Sequence, residues 1–143
     1  MEDVRAFAVH DHGRGVVSFG RADGSVHSSV VTAGVMEHPS TGANAVAFVV
    51  FGTAVKLRHW RHTPQANIVF RSDWSWISIE GPVTIIGPDD PIEGFEADVP
   101  KVLRDVFTAA GGTHDDWDEY NRVMVAERRA AIFISPNKIR GDH

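Results

Sequence analysis

Gly52, Thr53, Lys56 and Arg58 are closely spaced and together have the chemistry of an anion grip. They follow an apolar run, Ala-Val-Ala-Phe-Val-Val-Phe at 45–51, and precede Pro64. That pattern predicts a strand feeding a short helix that opens with Gly52 and Thr53 and stops before the proline. The first N–H groups of such a helix have no partner of their own, and its dipole is positive at that end. With a hydroxyl and basic side chains added, the junction can hold a phosphate.

No other constellation points to self-contained catalysis. Gly13-Arg-Gly15 and Gly111-Gly112 do not fit a dinucleotide fingerprint, there is no P-loop, and no nucleophile is spaced from a base. No catalytic side chain is therefore assigned, and the chemistry is expected to come from a bound cofactor that the protein orients. Eight histidines invite a metal reading. His10 and His12 flank an aspartate and His59 and His62 lie three apart, yet neither pair has a carboxylate at ligand spacing, so no metal is assigned. His59 and His62 are expected on the solvated or cofactor-facing side of the basic helix.

The elements that must position the grip can be read along the chain. Residues 2–10 read as a short helix. Two strands follow about an Asp23-Gly24 turn, and 37–44 is a turn-rich loop before the apolar strand. After the basic helix, 66–71 alternates as a strand. Residues 74–86 form a long strand with a bulge or bend at Gly81-Pro82, ended by 88–91. The apolar spacing from 92 to 110 predicts a helix closed by Gly111-Gly112. A second helix is predicted from an N-cap at Thr113, with Asp116 in a capping box, to about Arg128. Residues 130–135 are the last strand. Trp60, Trp74, Trp76 and Trp117 are read as core or interface residues, Trp117 packing its helix against the sheet. Trp74 and Trp76 are placed on one face of the long strand.

This order, with Arg21-Ala-Asp-Gly-Ser25, Lys56-Leu-Arg58 and 111–120 (Gly-Gly-Thr-His-Asp-Asp-Trp-Asp-Glu-Tyr), resembles the pyridoxamine 5'-phosphate oxidase-like proteins. Among them it is most similar to the actinobacterial branch that uses the deazaflavin coenzyme F420. The resemblance implies a mainly β fold with helices: a six-stranded, Greek-key, FMN-binding split β-barrel, assembled as a homodimer with the cofactor cleft at the interface. It places Ser28, Ser29, Val30 and Thr32 beside the cofactor ring, and Thr53, Lys56 and Arg58 at its phosphate and acidic tail. Trp76 of the partner chain would touch the ring. The activity implied is that of an F420-dependent reductase acting on a small, planar, conjugated substrate. FMN-dependent oxidoreduction and a non-catalytic F420- or haem-binding role are the alternatives. Where FMN-type relatives often carry Arg-Lys, this chain has Val55-Lys56, which favours F420. The C-terminal segment, with Arg140 and His143, lacks the context of a pyridoxamine phosphate site.

Composition agrees. A chain of 143 residues, 43% hydrophobic, suits one domain with a real core. A net charge of -5 argues against a nucleic-acid partner. No cysteine is present, which excludes disulfides and thiolate catalysis. No apolar run approaches a membrane span and no leader pattern is seen, so a cytoplasmic location is expected.

Overall fold

A computed structural model describes residues 1–142 of the chain; His143, named above, lies outside the described residues. The elements run α1 (Glu2–His10), β1 (Arg14–Gly20), β2 (Val26–Glu37), β3 (Asn44–Val50), α2 (Val55–His62), β4 (Gln65–Ser72) and β5 (Ser75–Ile86). After them come α3 (Val99–Ala109), α4 (Trp117–Ala126), β6 (Ala130–Ile134) and β7 (Lys138–Gly141). The strands pair antiparallel in the order β4-β1-β2-β3-β6-β5-β7, and a further β4–β5 pairing closes the first six into a barrel. The expected six-stranded split barrel is thus the fold, with one strand more.

Alternation sets which face goes inside. Val17 and Phe19 on β1, Ile68 and Phe70 on β4, and Ile77 and Ile79 on β5 point inward and are buried. β6 is buried along its whole length, because the barrel lies on one side of it and helices on the other. α3 is amphipathic and lays Val102, Leu103 and Val106 against Ala45, Ala47, Ala131 and Phe133. α4 adds Tyr120 to that second layer.

The bend expected in the long strand is where β5 changes partners. Residues up to Pro82 pair with β4, whereas Val83–Ile86 pair with β6. Gly81 is needed there: a Cβ would collide with the carbonyl of Ser135. β2 is shared in a similar way. Val26–Thr32 pair with β1 and Ala33–Glu37 with β3, so on the β3 side the first half of β2 has no strand paired to it among the described residues.

Several boundaries differ from expectation. The helix read over 92–110 begins only at Val99. Gly94 turns left-handed at φ 77 in its front half, Ile92 and Phe95 form an isolated bridge, and the Asp98 side chain caps the helix by accepting from Lys101 N–H at 3.2 Å. Asp116, not Thr113, caps α4, accepting from Glu119 N–H at 3.1 Å, and the helix ends at Ala126. Trp74 is not on the strand: Asp73 turns left-handed at φ 53, and Trp74 protrudes at the β4–β5 hairpin, 95% exposed. β7 is short and exposed at every position, which left no pattern to read.

Candidate functional site

A groove of about 480 Å³ with mainly apolar walls lies between the free half of β2, the end of β3, the start of α2 and the α3–α4 layer. Val30, Val31 and Thr32 form one wall, and Val49, Val50, Phe51 and Ala54 the floor toward α2. Phe107, Tyr120 and Met124 form the far wall. Lys56 and Arg129 are the charged residues of the lining.

α2 presents Lys56 because Leu57 and Trp60 are buried beneath the helix, with Trp60 Nε1 donating to Gln65 O at 3.2 Å. Lys56, one residue before Leu57, is left at the groove side. Arg58, two positions from Lys56, points elsewhere and is exposed, so the structure does not bring the two cations together. Nor does Thr53 cap the helix. α2 begins at Val55, its N-cap Ala54 has no side-chain bond, and Thr53 is an exposed turn residue. Gly52 serves packing: its N–H donates to Glu127 O at 3.1 Å, and a Cβ would stand 2.6 Å from Arg128 O. The N–H groups of Val55, Lys56 and Leu57 precede the first helical bond, Arg58 N–H to Ala54 O.

On β2 the expected set divides by face. Ser28, Val30 and Thr32 are exposed, and the Ser28 hydroxyl bonds that of Ser18 at 2.8 Å. Ser29 points inward, with its Oγ buried and unpartnered. Of the eight positions expected, Val30, Thr32 and Lys56 line the groove, whereas Ser28, Ser29, Thr53, Arg58 and Trp76 do not. Trp76 lies with Arg71, Asp73 and Trp74 in a shallow hollow at the hairpin end, 40% exposed.

Sequence reading missed Phe51, Phe107, Tyr120 and Arg129. The Arg129 guanidinium lies 3.5 Å from the centre of the Phe51 ring, and its Nε donates to Glu127 at 3.0 Å. Tyr120 donates its hydroxyl to Leu103 O at 3.1 Å, and burial raises its pKa, so it offers the groove a ring face and not an acid. No motif marks these residues; they meet only because α4 and β6 fold back on β3.

The helix histidine also differs from expectation. His62 is exposed, but His59 turns inward and stacks on Phe19 with centroids 4.0 Å apart. Phe19 stacks with His27 as well, at 4.8 Å. Arg21 donates to His27 Nδ1 at 3.2 Å, which leaves the ring proton on Nε2. The Nε2 atoms of both histidines are buried without a partner. Burial lowers the pKa of each ring, and Arg21 acts in the same direction on both. Among the described residues no group of three or more His, Asp or Glu side chains is arranged to hold a metal ion.

Three solved structures share this architecture over nearly the whole chain. A conserved hypothetical protein from Mycobacterium tuberculosis superposes with a TM-score of 0.70 at 17% identity, over 98% of this chain and 82% of that one. A pyridoxamine 5'-phosphate oxidase-related, FMN-binding protein from Nostoc punctiforme gives 0.66 at 11%, over 98% and 81%. The fold is the pyridoxamine 5'-phosphate oxidase-like split barrel. A haem-binding protein from Mycobacterium smegmatis gives 0.61 at 19%, over 99% of this chain and 52% of its own. No family model matches the sequence. Among the described residues no helix of this split barrel is long and apolar enough to cross a membrane.

Proposed function

We propose that this split barrel is an F420-dependent reductase whose groove between β2, α2 and the α3–α4 layer holds the cofactor. The observation that carries the reading is the groove itself: a strand edge with free main-chain groups on one side, apolar walls, and cations at Lys56 and Arg129. Its volume lies in the range of small-molecule sites. The residues fit a planar ring system with an anionic tail. Val30–Thr32 would lie along the ring, and Lys56 and the first-turn N–H groups of α2 would hold the phosphate. Bound in its reduced form, F420 supplies a hydride from its central ring carbon.

The protein's own part is binding, orientation and water exclusion. Phe107, Tyr120 and Met124 offer dispersion contacts without charge, which suits a small, planar, conjugated substrate. Because the Tyr120 proton is engaged with Leu103, the proton that completes reduction comes from solvent at the mouth of the groove. A second copy of the chain would cover the outer face of the barrel. There Val30 and Val69 flank Val16 in register, and Val16, Val30 and Trp76 are exposed at 43%, 65% and 40%. In such a dimer, Trp76 of the second copy would reach the cofactor.

FMN is the competing cofactor, favoured by the FMN-binding protein among the structural neighbours. F420 and FMN titrated side by side by fluorescence quenching decide between them. F420 is expected to bind in the micromolar range or tighter, and FMN more weakly. A clear preference for FMN would make the protein an FMN oxidoreductase. A Soret band in the purified protein would point instead to haem, as in the haem-binding neighbour.

A further inference from the structure

The chain as a whole is acidic, with a net charge of -5, yet the groove lining contains two cations and no carboxylate. Lys56 was legible in the sequence, whereas Arg129 comes from the corner between α4 and β6. The fold brings that corner against the turn that opens α2. Phe51, just upstream of α2, lies under the Arg129 guanidinium, and Gly52 N–H bonds Glu127 O two residues before Arg129. Arg129 is thereby held against the turn that leads into α2, the helix that carries Lys56.

Arg129 is also held ready. Its side chain is only 21% exposed, the Phe51 ring supports one face, and Glu127 fixes Nε at 3.0 Å. One of its five N–H groups is thereby engaged, and the four on the terminal nitrogens stay available in a planar fork. Glu127 offsets part of the charge, so long-range attraction falls mainly to Lys56. Directional donation falls to Arg129. A fork of this kind, fixed before the ligand arrives, loses little side-chain freedom on binding and matches the oxygens of a phosphoryl group.

We infer that Arg129 is a second anion-binding residue of the groove, donating in planar geometry to the phosphoryl oxygens of a ligand whose charge Lys56 attracts. The inference rests on the cofactor reading above and extends it to a residue outside the basic helix.

The test compares ligands that share a ring system but differ in the phosphate: F420 against its phosphate-free deazaflavin core, and FMN against riboflavin, each by fluorescence titration. The wild-type protein is expected to prefer the phosphorylated member by about tenfold or more. Arg129→Gln should remove most of that preference and leave affinity for the phosphate-free member unchanged. Arg129→Lys, which keeps the charge and loses the fork, should recover only part of it. Melting temperatures check that the variants fold, and if Arg129→Gln does not, Arg129→Lys alone carries the test. Full preference retained in the Arg129 variants, with loss in Lys56→Ala, would overturn the role of Arg129 while leaving the groove reading intact. No binding of either ring system to the wild-type protein would remove the cofactor reading, and this inference with it.

Discussion

Inside the barrel, Val17, Ile68, Phe70, Ile77, Ile79 and Ile132 are wholly shielded, so the interior is a filled core. On the outside, α3 and α4 cover Ala47, Ala131 and Phe133 and then stop. Where they stop, at Phe107 and Tyr120, the groove begins. The two layers use similar residue types, and the difference is completeness. Closure around the ring of strands leaves no room for a ligand, whereas a helical layer shorter than the sheet leaves a space lined by apolar residues and two cations. In this molecule stability and binding are therefore separable.

Mutations should expose that separation. The largest effect is expected from Phe70→Ala in the barrel core, a loss of about 3–5 kcal/mol in unfolding free energy by chemical denaturation. A loss under about 1 kcal/mol would mean that the barrel is less tightly filled than described. Next comes Lys56→Ala, which should weaken F420 binding by roughly 1.5–3 kcal/mol while the melting temperature barely moves. Unchanged affinity would separate the groove from the anion.

The three histidines with depressed pKa values sharpen the comparison through pH. His27 and His59 sandwich Phe19, and His38 is buried with its Nδ1 accepting from Ser40 N–H at 3.2 Å. Burial lowers all three below the usual 6.5. An unfolded chain would protonate these rings near 6.5. Stability should thus be complete above about that pH and decline as pH falls through it toward the lower folded values. Denaturation midpoints across that interval measure this, and His59→Gln should flatten part of the slope. A midpoint that rises on acidification would contradict the burial of these rings. The smallest effect is expected at Trp74→Ala. A side chain 95% exposed at a hairpin tip should change the stability of the single chain by less than about 0.5 kcal/mol.

Much of the barrel was legible because its strands alternate and its turns carry Asp-Gly, Gly-Pro and Pro-Asp pairs. The helical layer was harder. Apolar spacing at Phe95 continued the α3 pattern, and it takes the Ile92–Phe95 bridge and the Asp98 cap to show that the helix starts later. In the groove, Lys56 was readable because one helix displays it, whereas Arg58 stands apart from it because two positions along a helix is nearly the opposite face. Arg129, Phe51 and Tyr120 had no local signature. Their meeting is a property of the α4–β6 corner folding onto β3. Phosphate chemistry expected from Gly52 and Thr53 gave way to packing, since the Gly52 N–H is committed to Glu127.

The free half of β2 has a meaning beyond ligand contact. From Val26 to Thr32 one edge of the strand has no paired strand among the described residues, and its exposed side chains include Val26 and Val30 at 64% and 65%. An edge of this kind is a template for any extended chain, including an unfolded copy of the same protein. The nearest charge on the strand is Glu37, five residues past Thr32, too far along to act as a gatekeeper. Whatever settles on that edge, whether a bound ring or a second subunit, therefore also guards the protein against self-association into aggregates.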